Sequence, residues 1–96
     1  MAEVADVLAA RRIDVVDAEG RVRARLAVDE EGQPSLGLLD QDGLLRASLS
    51  LGADGIPRLT MWGRTGALRA CLGFGSEWKV GLTLSDRHQQ VIWSAP

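Results

Sequence analysis

Leu36-Gly37-Leu38-Leu39-Asp40-Gln41-Asp42-Gly43-Leu44-Leu45-Arg46-Ala47-Ser48-Leu49 reads as Leu-x-Leu-x-Asp-x-x-Gly-x-x-Arg-Ala-x-Leu. Apolar residues alternate on both sides of a four-residue polar break. Alternation with period two marks half-buried strands. Asp-x-x-Gly suits a type I turn closed by a glycine in the left-handed region, the three-residue hairpin loop. Aspartate at the first position caps such a turn through its own carboxylate. The stretch therefore predicts two antiparallel strands joined by a tight turn.

The same unit recurs at a spacing of 23 residues. Asp17, Asp40, Gly63 and Asp86 lie at that offset, as do Gly20, Gly43 and Gly66, with Gln89 in the fourth place. Arg23, Arg46 and Arg69 follow, then Ala24, Ala47 and Ala70, then Leu26, Leu49 and Leu72. A second glycine turn precedes Pro34 and Pro57, and Leu36, Leu59 and Leu82 come after it. Each unit holds two strands and two turns. A repeat unit of this kind cannot bury its apolar face alone and must stack on neighbours.

Counting register makes this more specific. A three-residue loop at Glu31-Gly32 sets Leu26 opposite Leu36 and Ala24 opposite Leu38. A loop at Asp54-Gly55 sets Leu49 opposite Leu59 and Ala47 opposite Met61. Both hairpins put their apolar residues on one side. The same count at Asp40–Gly43 sets Leu38 opposite Arg46 and mixes the faces, because a one-residue slip flips a strand. The Asp-x-x-Gly turns then need an extra bulge, a four-residue loop, or a corner between separate hairpins near 22–38, 45–61 and 68–84. The expected fold is all-β: an antiparallel meander of about eight strands, closed as a prism or barrel or by oligomerisation. A lone flat sheet would expose a large apolar surface, so a homo-oligomer is expected, with a trimer ahead of a dimer. Residues 1–12 break the pattern. Val4, Val7 and Leu8 sit at helical spacing, giving a short helix or leader before a single domain over 13–96.

Composition narrows the function classes. The chain has 96 residues, 46% hydrophobic and 25% charged, with a net charge of −2 and a pI near 5.3. That fits one small globular domain and is too apolar for a disordered segment. The weak acidic balance argues against a nucleic-acid partner, which calls for a clustered positive excess. No run approaches the length of a membrane span. Glu3 and Asp6 ahead of Arg11 and Arg12 do not make a secretory signal peptide. Single residues Cys71 and His88 provide neither a disulfide framework nor a Cys/His zinc site. No cofactor is expected, and no catalytic pair recurs, so the chain is not expected to be an enzyme.

The period is similar to that of MORN repeats, which also run 23 residues but are rich in tyrosine, whereas this chain has none. A fuller resemblance is to bacterial β-hairpin repeat chains of uncharacterised function that carry the Leu-x-Leu-x-Asp-x-x-Gly-x-x-Arg-Ala-x-Leu unit. That resemblance covers about residues 13–96 and implies turns and strands. It implies no catalytic residue. The last unit departs from it, with Gln89 for glycine and Ile92 for arginine, as terminal repeats often do.

The arginines are the most suggestive polar feature. Arg23, Arg46 and Arg69, with Trp62, form a candidate binding set for an anionic glycan or peptide. The alternative is structural, each guanidinium bonding its turn or a neighbouring strand. Trp62, Trp78 and Trp93 fall outside the repeat, and Trp62 alternates away from Leu59 and Met61. Off-repeat aromatics suit either a partner patch or the sheet edges. Gly63-Arg64-Thr65-Gly66 resembles the nucleic-acid loop of KH domains, but its place in the repeat makes it a hairpin turn. Gly73-Phe74-Gly75 starts like a dinucleotide fingerprint without its third glycine. His88 reads as a solvated turn residue and Cys71 as a half-buried thiol.

Overall fold

A computed structural model describes residues 4–74 and 80–95. Eight strands form one antiparallel sheet: β1 (Arg12–Val16), β2 (Val22–Val28), β3 (Pro34–Leu39), β4 (Leu45–Leu51), β5 (Pro57–Trp62), β6 (Leu68–Phe74), β7 (Val80–Ser85) and β8 (Val91–Ala95). Each strand pairs with its sequence neighbours, in the order β1 to β8. The meander is therefore as expected, but it does not close. β1 and β8 are the two edges of an open sheet, and the described residues close into neither a prism nor a barrel. Residues 4–11 form no helix, and β1 begins at Arg12. Among the described residues no helix is long and apolar enough to cross a membrane.

The turns share one backbone geometry. At Asp17, Asp29, Asp40, Gly52, Gly63 and Asp86 the amide donates to the carbonyl four residues on, and the amide three residues on donates back. Gly20, Gly32, Gly43, Gly55 and Gly66 have φ between 77° and 86°, the left-handed value that closes the loop. Gln89 takes the same role at φ 65°.

The starts of the turns from Asp17 to Gly63 are alternately 12 and 11 residues apart. The extra residue is a bulge. Leu38 pairs with Ala47 but Leu39 pairs with Leu45, leaving Arg46 unpaired between them. The same step isolates Arg23 in β2, Arg69 in β6 and Ile92 in β8. Of the three ways to rescue register at the Asp-x-x-Gly turns, the fold uses the bulge. These turns are hairpins within one sheet, not corners between three separate ones.

The bulge inverts the side-chain alternation. Leu45 and Ala47 sit two apart in sequence, yet Leu45 lies on the opposite face. Its Cδ1 is 2.9 Å from where a β-carbon on Gly37 would stand, and Gly37 faces away from the Leu36 and Leu38 side. Grouping Leu45 with Ala47, Leu49 and Leu51 by simple alternation therefore fails at Leu45, as it does at Val22 and Leu68 beside the equivalent bulges.

Candidate functional site

The register stacks the repeat leucines into rows. Ile13, Leu26, Leu36, Leu49, Leu59, Leu72 and Leu82 stand side by side across seven strands. A parallel row holds Val15, Ala24, Leu38, Ala47, Met61, Ala70, Leu84 and Trp93. Among the described residues nothing folds over this face. Leu26 is 51% exposed and Leu49, in the middle of the sheet, is 50% exposed. Ala67 is the buried hydrophobic residue among those described. A shallow apolar depression on the face is lined by Leu26, Leu36, Leu49 and Leu51, with Pro34 and Pro57 at the strand starts.

The opposite face sets a low polar row beside an apolar one at the bulges, which holds Val16, Val22, Leu39, Leu45, Trp62 and Leu68. One row reads Asp14, Arg25, Gly37, Ser48, Thr60, Cys71, Thr83 and Ser94. At the β1 edge, Asp14 accepts from Arg12 Nε (3.0 Å) and Arg25 Nε (3.0 Å). Those two guanidiniums, Arg12 first, hold the Asp14 carboxyl well below the usual carboxylate range. Charged side chains of this kind blunt a sheet edge against pairing with another strand.

The three repeat arginines are bulge residues, and each uses its Nε in the same way. Arg23 donates to the Leu39 carbonyl (3.0 Å), Arg46 to the Trp62 carbonyl (3.1 Å) and Arg69 to the Ser85 carbonyl (2.8 Å). Every acceptor is the residue just before the next unit's turn, which starts at Asp40, Gly63 or Asp86. The guanidinium of one unit thus ties its bulge to the following turn. Arg23 and Arg46 also approach their own turn's aspartate, at 3.7 Å to Asp17 and 3.4 Å to Asp40. Arg69 has glycine at that position, Gly63. In β8, the last strand among the described residues, the bulge residue is Ile92.

The turn carboxylates are polarised by their amides. Asp40 Oδ1 accepts from the amides of Asp42 (2.9 Å) and Leu44 (3.0 Å). The Leu44 amide is the main cause holding Asp40 below its ordinary range, with Arg46 adding to it. Asp86 is held low chiefly by the Gln90 amide, with Arg69 contributing.

The sequence-derived set divides. Arg46 and Trp62 come together with Leu45 beside the 63–66 turn, in a depression of ≈ 340 Å³. Trp62 faces away from Leu59 and Met61, as its phase requires. Arg23 and Arg46 share a neighbouring depression with Asp40 and Asp42, whose carboxylates offset the positive charge. Arg69 lies one repeat further on, against Gly63. Trp93 sits on the leucine face of the edge strand β8 and is half exposed. Trp78 and Gly75 lie outside the described residues. His88 is exposed in the last turn, and Cys71 is half-buried between Thr60 and Thr83. No protein-family model matches this chain, and no curated protein matches it at a significant level.

Proposed function

We propose that this chain is a non-enzymatic structural module that assembles with copies of itself through the leucine face. The observation that carries this reading is an apolar sheet face over which the described residues lay no second layer. The radius of gyration is 16.0 Å, against about 12.5 Å for a compact domain of this length. The accessible surface is 7586 Å², against about 5,400 Å² for a folded monomer of this mass. Eight strands about 4.8 Å apart and about six residues long present roughly 750 Å² per face. A standard protein interface takes about 800 Å² from each partner, so one face suits one partner copy. Closed symmetric assembly also covers both faces of the pair at once.

Mass in solution tests the reading. Sedimentation over a concentration series should give a stable dimer or trimer. A chain that stays monomeric across the series sinks the proposal. A second reading, an anionic glycan or peptide held along Arg23, Arg46 and Arg69 with Trp62, has less support. All three Nε atoms are occupied by backbone carbonyls, and Asp17 and Asp40 accompany two of the three guanidiniums.

A further inference from the structure

The six described turns differ in one respect that matters chemically. At Asp17, Asp29, Asp40 and Asp86 the first residue's Oδ1 accepts the amides two and four residues on, at 2.8–3.0 Å. At Gly52 there is no such side chain, but Asp54 turns back to take its place. Its Oδ1 accepts the Ile56 amide (3.0 Å) and lies 3.0 Å from where a Gly52 β-carbon would be. The 63–66 turn has the same backbone closure, with Gly63 N to Ala67 O at 2.8 Å and Gly66 N to Gly63 O at 3.0 Å. Its amides at Thr65 and Ala67 correspond to those that grip a carboxylate elsewhere. Among the described residues no side chain accepts from either.

A cation stands beside them. The Arg69 side chain folds over Gly63: its Cγ, Cδ and Nη1 lie 3.1, 3.4 and 3.6 Å from the position a β-carbon would take. Arg46 stands in the same relation to Asp40, 3.4 Å from Oδ2. Two convergent amides and a guanidinium therefore border the place where sibling turns hold their own carboxylate, and the flexible Arg69 stem that leans into it swings aside for an occupant. Arg64 and Thr65, the two intervening side chains, carry no negative charge, and both are exposed. The depression lined by Leu45, Arg46 and Trp62 opens from the same turn.

We propose that the 63–66 turn is a binding site for a carboxylate, with Thr65 N and Ala67 N as donors to one oxygen and Arg69 to the other. The geometry is that of the protein's own Asp-x-x-Gly turns, with the acid supplied by a ligand. The Trp62 depression gives room for an apolar body attached to that acid. Charge-assisted bonds from backbone amides and a guanidinium are the strong class for carboxylates. The site is at the turn edge, not on the leucine face, so it stands whether or not the sheets assemble.

Amide NMR of the full chain during titration with sodium acetate, at constant ionic strength set with chloride, tests this. The Thr65 and Ala67 amide protons should move downfield and saturate. In Gly63→Asp the same two amides should already be downfield without acetate and should not respond to it. Gly63 has no left-handed φ, so its backbone accepts aspartate, and the added β-carbon, 3.1 Å from Arg69 Cγ, has only that flexible side chain to push aside. If that variant fails to fold, Gly63→Asn supplies an uncharged occupant for the same comparison. Wild-type amides that do not saturate, or that respond equally in the Gly63 variant, overturn the proposal. Inorganic phosphate acting at lower concentration than acetate overturns the carboxylate assignment. A shift that grows with protein concentration alone identifies the acid as a side chain of a second copy; one that needs acetate identifies a free carboxylate.

Discussion

Gln89 closes the last described turn with φ 65°, where five other turns use glycine. A side chain in that region crowds the following carbonyl, which costs about 1–2 kcal/mol, partly offset by the smaller unfolded-state entropy of a non-glycine residue. Gln89→Gly should therefore stabilise the protein by about 0.5–1 kcal/mol, and Gly66→Ala should destabilise it by about 1 kcal/mol. Urea melts of both variants check the signs. The turn aspartates make a second residue-scale prediction. Asp14, Asp40 and Asp86 have carboxyls held low in the fold. Their contribution is fully present above the unfolded carboxyl pKa of about 3.9 and is lost as pH falls through the lower folded values. Thermal stability should be flat from pH 7 to about 5 and fall below about pH 4. Asp40→Asn keeps an oxygen for the Asp42 and Leu44 amides but loses the charge, so its stability should depend less on acid. An Asp40→Asn profile as steep as wild type would remove Asp40 from the acid response.

The repeat arginine acts at the scale of the element. It fills the bulge, and its Nε reaches the carbonyl before the next turn, so each bulge is anchored to the following strand, across from the ladder it disturbs. Arg46→Ala should leave the bulge in place and cost about 1.5–3 kcal/mol, the range for a hydrogen bond with a charged donor. Deleting Arg46 is a different perturbation, because it removes the residue that keeps β4 in phase. The Ser48 and Ser50 side would then compete for the leucine face, and cooperative unfolding followed by circular dichroism should be lost. A deletion variant as stable as Arg46→Ala would show that the bulge does not set the register. This element also marks the limit of what the sequence made legible. The Leu26–Leu36 and Leu49–Leu59 pairings followed from loop length alone. The bulge was visible only as a conflict at Asp40–Gly43, because Leu45, Ala47 and Leu49 keep an unbroken apolar alternation across the inversion. The turn site was likewise visible only as Gly63 in a series of aspartates. Its meaning depends on the amides those aspartates hold, which composition and spacing do not reveal.

At the scale of the whole molecule, the two faces differ in what they can bear. The leucine rows carry side chains that are about half exposed in the middle of the sheet, as at Leu49. The opposite face carries Ser48, Thr60 and Thr83 in a low polar row. An aspartate placed at Leu49 would put a short, unpaired carboxylate at the centre of the proposed interface, and unlike lysine it cannot reach outward to water. Its desolvation costs several kcal/mol if copies meet there, and even about 3 kcal/mol is roughly 100-fold in a dissociation constant. Thr60→Asp makes the equally poor strand substitution one strand away and on the other face. Sedimentation of the pair should show Leu49→Asp monomeric where wild type is assembled, with Thr60→Asp still assembled. Equal weakening by both variants would attribute the loss to the strand itself. Weakening by Thr60→Asp alone would move the contact to the serine and threonine face.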